Sequence, residues 1–324
     1  MDPAQEIGKA KDFIAFIQKE ISKYVIGQDE VVKQFLLAMI SNGHVLVEGV
    51  PGLAKTTIVK SIANVISAKF SRVQFTPDLL PSDIVGTVFY NPTTSQFSIH
   101  QGPVFTNILL ADEINRAPSK VQSALLESMQ ERQVTIGDST LKLPDQFWVF
   151  ATQNPIEQEG TYNLPEAQID RFLLKCVIGY PSIEDEKKII ELLELPAPKN
   201  ITPQVTLDDF TTLSTLAQKV FLEDSLRDYI VNIVSATRDP KTYGIKGYES
   251  TVDYGASPRA CIALMQCSKA LALSEGRDHV IPEDIKYLAL PTLRHRIILS
   301  YQAQAEGIKT EELIQQIINT IHVP

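Results

Sequence analysis

The chain has 324 residues, 44% of them hydrophobic, and a formal charge of −9. That length accommodates one large or two ordinary cores, and two are expected. The acidic balance argues against a general nucleic-acid binder, whose affinity for phosphate backbones comes from clustered Lys and Arg.

In chain order, Ala10, Phe13, Ile14, Ile17, Ile21 and Tyr24 fall on one face of a first helix. Val31, Val32, Phe35, Leu36, Met39 and Ile40 do the same for a second. The apolar turn between them, Val25-Ile26-Gly27-Gln28, reads equally as a plain interhelix turn or as cover for an adenine ring, a contact made by backbone groups and aliphatic surface. A short apolar strand, His44 to Glu48, then runs into Gly49-Val50-Pro51-Gly52-Leu53-Ala54-Lys55-Thr56-Thr57, and Ile58, Ile62, Val65 and Ile66 follow at helical spacing. Strand, Gly-rich turn and helix together make a phosphate-cradling loop, with backbone N–H groups converging at the helix's positive end. Lys55 reaches the outer phosphates and the Thr56 hydroxyl holds Mg²⁺. The pattern is irregular, because Ala54 stands where the second glycine is usual and Gly52 comes two places earlier.

Residues 70–75, 108–112, 146–152 and 173–178 read as further strands, and their alternation with helical segments predicts a parallel sheet covered on both faces. The strand Ile108-Leu109-Leu110-Ala111-Asp112 ends in two acids. Asp112 is placed for the Mg²⁺ shell and Glu113 for polarising the attacking water at the carboxyl edge of the sheet. Ala151-Thr152-Gln153-Asn154-Pro155 closes the next strand with an amide, Asn154, suited to orienting a water beside the γ-phosphate. Two insertions interrupt the alternation: a Pro- and Gly-punctuated loop from Pro77 to Gly102 with a hairpin between Val88 and Ile99, and a hairpin at 133–143 turning at Gly137-Asp138. Both are expected on the same side of the sheet. From residue 181 the strand signals fade, and after the Pro-rich link Leu195-Pro196-Ala197-Pro198 the pattern is helical through 226–234, 261–273 and 285–293. The reading is a core over 1–180 and an all-helical domain over 181–324.

Asp170-Arg171-Phe172 and Ser257-Pro258-Arg259 each place an arginine in a short distinctive setting. Together with these arginines, the preceding motifs make the chain resemble the MoxR family of AAA+ ATPases. The likeness rests on Gly49 to Thr56, on Gln74 to Asp83, on Gly102 to Pro118, on Glu166 to Phe172 and on Gly255 to Arg259, spanning residues 26–259 in the expected order. The resemblance implies a P-loop AAA+ core with a five-stranded parallel sheet and a smaller all-α lid. It implies Walker A residues Lys55 and Thr56, Walker B residues Asp112 and Glu113, and Asn154 as the sensor 1 amide. Arg171 corresponds to an arginine finger acting on a neighbouring subunit's nucleotide, and Arg259 to sensor 2 in the lid. Arg116 stays open between a helix-entry contact and a second charge at a subunit boundary. Ala before the lysine is usual in that family, and the segments 86–101 and 133–143 correspond to its helix-2 insert and pre-sensor-1 hairpin.

The resemblance further implies ATP and Mg²⁺ as cofactors, a ring of subunits, expected as a hexamer, and partners carrying von Willebrand factor A domains. The function it implies is ATP-driven remodelling, complex assembly or metal-cofactor maturation of partner proteins. Two other readings compete: the ATPase subunit of a magnesium-chelatase-like complex, and a DNA-associated motor or nucleotide switch. A GTPase switch needs Asn-Lys-x-Asp, which the sequence lacks, and the acidic charge speaks against DNA. No apolar run approaches the roughly 18–20 residues that span a membrane, and Met1 to Glu6 has no secretion-signal character, so a cytoplasmic protein is expected. The three cysteines read as core, the five histidines lack metal-ligand spacing, and Arg294-His295-Arg296 reads as a solvated helix face or a subunit contact.

Overall fold

The computed structural model describes residues 3–93, 95–155, 161–162, 164–194 and 205–324. Helices α1 (Pro3–Ser22) and α2 (Asp29–Ile40) precede strand β1 (Val45–Gly49) and helix α3 (Lys55–Val65). Next come β2 (Phe70–Gln74), α4 (Pro81–Val85), the pair β3 (Gly86–Asn91) and β4 (Gln96–Gln101), and β5 (Ile108–Asp112). A 3-10 turn at Ile114–Arg116 leads to α5 (Ser119–Glu131), the pair β6 (Gln133–Ile136) and β7 (Ser139–Lys142), β8 (Trp148–Gln153), α6 (Glu166–Ile169) and β9 (Leu174–Ile178). Beyond these lie α7 (Ile183–Glu194), α8 (Leu207–Lys219), α9 (Asp224–Ala236) and β10 (Val252–Tyr254). The chain closes with α10 (Pro258–Ser274), α11 (Pro282–Leu293), β11 (Ile298–Leu299), α12 (Tyr301–Ala305) and α13 (Thr310–Thr320).

Two compact units result: Phe16–Arg171 with Cys176–Thr211, and Met1–Ala15 with Phe172–Lys175 and Thr212–Pro324. The start of α1 thus groups with the carboxyl-terminal unit, and α7 with the sheet. The five-stranded sheet has the order β2-β5-β8-β1-β9, and β2–β5, β5–β8 and β8–β1 pair in parallel. Every residue of β5 is buried, as is all of β8 except its last, which a sheet covered on both faces requires. Behind β8, fully buried Trp148 donates its indole N–H to the Met39 carbonyl at 3.1 Å, and the Phe35 and Phe150 rings pack at 4.8 Å.

The first insertion carries the expected hairpin and adds a short helix. It starts with α4, whose first-turn carboxylate, Asp83, accepts the Leu80 N–H at 2.8 Å. Its strands run longer than the alternation suggested, pairing Gly86 with Gln101 through to Asn91 with Gln96. The base is pinched: a Cβ on Gly86 would lie 2.3 Å from the His100 carbonyl, and one on Gly102 would lie 2.2 Å from the Ile84 carbonyl. A Cβ on Gly137, in the turn of the second hairpin, would meet the Val88 side chain at 2.9 Å, so the two insertions do lie side by side.

The carboxyl-terminal unit is helical as expected, with one short antiparallel pair, β10 and β11, added. One expectation is corrected there. Arg294-His295-Arg296 follows the end of α11 and is no solvated face: buried Arg296 donates to the carbonyls of Phe172 (2.6 Å), Leu173 (3.2 Å) and Thr292, and His295 Nε2 lies 3.1 Å from the Phe172 carbonyl. Burial, then the Arg296 charge, holds His295 well below the usual histidine pKa, so Nε2–H is the donor. Cys176 and Cys267 are buried as expected, whereas Cys261 is only half-buried. The Pro-rich link at 195–198 and Thr94 in the first insertion lie outside the described residues.

His44, just before β1, is buried with Nδ1 accepting the Val149 N–H at 3.0 Å and Nε2 donating to the Met129 carbonyl at 3.3 Å. Burial and the nearby Arg132 charge lower its pKa from 6.5 to about 3, keeping the ring neutral. Below pH 6.5 the unfolded chain therefore takes up a proton that the native state refuses, so stability falls with pH. Urea unfolding should lose about 2–3 kcal/mol to this residue by about pH 4.5, and His44→Gln should show a shallower slope than wild type. An unchanged slope in the variant would show that His44 does not drive the loss.

Candidate functional site

The loop after β1 combines two left-handed backbone positions, Gly52 (φ 86°) and Ala54 (φ 54°), the latter capping α3. For alanine that conformation costs about 1 kcal/mol, a strain typical of functional turns. It sets Lys55, Thr56 and Thr57 in the first turn of α3, where helix N–H groups have no intrahelical acceptor. Leu53 is buried beneath the loop, while Pro51, Gly52 and Ala54 are exposed. Lys55 Nζ donates to the Gly49 carbonyl at 2.6 Å. A Cβ on Gly49 would come within 3.1 Å of the Ile178 carbonyl, so glycine lets the loop start close against the end of β9. The Ile26-Gly27 turn lies nearby in the chain fold: Gly27 (φ 73°) packs against Asp185 of α7, and Gln28 donates to the Gly179 carbonyl at 3.1 Å.

Two strands away, β5 delivers Asp112 and Glu113 to the same carboxyl edge, with β8 and Asn154 between. The register Ala111 to Ala151 brings Thr152 beside Asp112. The fully buried Thr152 hydroxyl donates to Asp112 Oδ1 at 2.6 Å and accepts the Glu113 N–H at 2.8 Å. That second bond secures a backbone turn in the left-handed region at Glu113 (φ 57°), uncommon for a residue with a side chain. Arg72 on β2 directs Nε (3.2 Å) and Nη2 (2.7 Å) to Asp112 Oδ2, and Nη2 also reaches Gln74 Oε1 at 3.1 Å. Gln74 Nε2 and Arg116 Nη1 both donate to Glu113 Oε2, at 2.6 and 3.1 Å. Buried Gln122 on α5 fastens the following segment by donating to the carbonyls of Ile114, Ala117 and Tyr162.

Asn154 is buried just past β8. Arg171, after α6, donates Nη1 to the Leu126 carbonyl at 3.0 Å and keeps a buried Nε without a hydrogen-bond partner. Arg259 is exposed in the first turn of α10, where Ser257 Oγ accepts its N–H at 3.1 Å; it belongs to the other compact unit. The sheet thus gathers the loop at 49–57, Asp112, Glu113 and Asn154 on three adjacent strand ends. Sequence reading missed Arg72, Gln74, Thr152 and Gln122. The available signal for the first three was polar residues alternating at the carboxyl ends of otherwise apolar strands. Among the described residues no group of three or more His, Cys, Asp or Glu is placed to hold a metal ion. Hard oxygen donors, Thr56 and Asp112, nevertheless suit Mg²⁺ shared with phosphates, since that ion takes few ligands from protein.

This fold and loop geometry define a P-loop ATPase domain of the AAA class with a helical lid. Residues 44–174 match the model of the ATPase family associated with various cellular activities (AAA), and residues 248–317 match the AAA lid domain. The chain is 48% identical over 305 residues to Chaperone MoxR1 of Mycobacterium tuberculosis, covering 94% of this chain and 81% of that protein. It is 30% identical over 334 residues to Protein MoxR of Methylorubrum extorquens, covering 97% and 96%. A crystal structure of a candidate ATPase from Cytophaga hutchinsonii resembles it with a TM-score of 0.93 at 45% identity, covering 99% of this chain and 97% of that one. The chain belongs to the MoxR family of AAA+ ATPases.

Thr152→Val keeps the side-chain shape but strands a part-buried N–H and a buried carboxylate oxygen, each costing up to about 1–3 kcal/mol. Denaturant unfolding should show a loss of about 2–4 kcal/mol, largely restored in Thr152→Ser. A valine variant as stable as wild type would mean that these bonds hold nothing in place.

Proposed function

We propose that the chain binds ATP with Mg²⁺ at the 49–57 loop and hydrolyses it to drive chaperone-like remodelling, assembly or metal-cofactor maturation of partner proteins. The observation that carries this is the order of groups along one sheet edge: phosphate loop on β1, amide on β8, acid pair on β5. The relative named Chaperone MoxR1 supports the remodelling role. In this reading residues 1–180 form the nucleotide-binding core and 181–324 the lid.

Gly49, Pro51, Gly52, Leu53, Ala54 and Thr57 shape the phosphate cradle, and Ile26 with Gly27 covers the base. Lys55 neutralises the outer phosphates. Thr56 and Asp112 would hold Mg²⁺, which would supply charge neutralisation at the phosphates. Glu113 accepts a proton from the attacking water, and Asn154 orients that water against the γ-phosphate. Charge spreading over the γ-oxygens in the transition state calls for further cations, supplied by Arg259 from the lid and by Arg171 of a neighbouring subunit. The Arg171 anchor on the Leu126 carbonyl keeps the guanidinium on α5, a rigid base for presenting charge to another subunit. Hydrolysis then depends on assembly into a ring, read as a hexamer, in the cytoplasm. A protein with a von Willebrand factor A domain is the expected partner.

Glu113→Gln should still bind ATP while turnover falls by about 10²-fold or more. Wild-type turnover per subunit should drop as the protein is diluted, whereas Arg171→Ala should be slow at every concentration, by up to about 10³-fold. Equal specific activity across a wide dilution range would contradict hydrolysis in trans. The ATP-loaded Glu113→Gln form also serves as bait, and failure to retain any von Willebrand A protein would remove that partner from the account.

A further inference from the structure

We propose that Arg72 is a tethered counter-cation that competes with Mg²⁺ for Asp112, so that metal engagement at the acid pair displaces an internal positive charge. The inference rests on the nucleotide-site reading above. The two oxygens of the Asp112 carboxylate are engaged differently. Oδ1 takes the Thr152 hydroxyl, which is fully buried and fixed between strands. Oδ2 takes both the Nε and Nη2 hydrogens of Arg72, at 3.2 and 2.7 Å. The oxygen not committed to the sheet is therefore the one that a guanidinium already covers.

The two partners differ in their freedom to leave. The Asp112 side chain is 11% exposed and belongs to a central strand, whereas the Arg72 side chain is 47% exposed on β2 at the sheet's edge. Arg72, already half exposed, is hydrated on withdrawal, and a Mg²⁺ in its place leaves the Asp112 carboxylate still paired. Keeping the arginine beside a divalent ion sets like charges against each other across a few ångströms, and the shielded side of Asp112 strengthens that repulsion. A largely buried carboxylate also needs a counter-charge whenever metal is away, because an unpaired one is expensive. Arg72 meets that need and leaves when a stronger cation arrives. Its second contact, Nη2 to Gln74 Oε1 at 3.1 Å, holds the guanidinium in register meanwhile.

A purely supportive role makes the opposite prediction. If Arg72 only buttressed Asp112 as a metal ligand, its loss would weaken Mg²⁺ binding. If it competes, its loss tightens binding while making the metal-free protein less stable. Lysine separates the two further, since its single ammonium keeps the charge but not the forked approach to one oxygen.

The test is a Mg²⁺ titration of full-length protein at fixed fluorescent ATP analogue, read as the Mg²⁺ concentration at half-maximal binding, with no turnover measured. Arg72→Gln should lower that midpoint by about two- to fivefold, with Arg72→Lys falling between it and wild type. Melting without metal or nucleotide should fall in Arg72→Gln, and the stabilisation by Mg²⁺ with the analogue should exceed wild type's. A midpoint unchanged or raised in the folded variants overturns the proposal. Should Arg72→Gln not fold, Arg72→Lys decides alone: a lowered midpoint supports competition, and one at or above wild type refutes it. A wild-type protein that binds the analogue without any Mg²⁺ dependence overturns this inference alone, and one that does not bind it at all overturns the nucleotide-site reading and this inference with it.

Discussion

A single buried hydroxyl couples the two halves of the acid pair. Thr152 gives its proton to Asp112 and takes the backbone N–H of Glu113, so neighbouring strands β8 and β5 are tied at the point where β5 leaves the sheet. The left-handed turn at Glu113 follows from that tie. The tie offsets part of the cost of such a conformation for a residue with a side chain. With it, the Glu113 carboxylate is turned to where Gln74 and Arg116 reach it, while Asp112 keeps one oxygen available to a cation.

The forces in this frame differ in size, which separates scaffold from moving parts. Bonds to the buried hydroxyl and to buried Gln122 are costly to lose because no water replaces them. The ion pairs of Arg72 and Arg116 join acids to side chains about half exposed, which water takes up readily when the pair opens. Scaffold bonds therefore fix where the acids sit, and the weaker pairs are the ones that exchange when phosphate and metal arrive. Lys55, resting on the Gly49 carbonyl at the start of its own loop, belongs with the exchangeable group.

Much of this was legible in the sequence, for identifiable reasons. The strand 108–112 was read at its observed bounds because an uninterrupted apolar run ending in acids has few other interpretations. Ala54, at first an irregularity, marks a left-handed position that glycine usually fills. Cross-strand partners were not legible: Arg72 and Thr152 acquire meaning only through the register that sets them beside Asp112. The charged run at 294–296 misled for the same reason, since the carbonyls that bury Arg296 include those of Phe172 and Leu173, far away in sequence. Strands of two or three residues, β10 and β11, carry no periodicity to detect.

The central claim is that the 49–57 loop, with Lys55 at its end, binds the phosphates of ATP. Calorimetric titration of ATP with Mg²⁺ into wild type and into Lys55→Ala tests it most directly. The account predicts one nucleotide per chain for wild type and binding at least about tenfold weaker in the variant, from the loss of a charge-assisted contact. Equal affinity in the two proteins, or no binding by wild type, would contradict it.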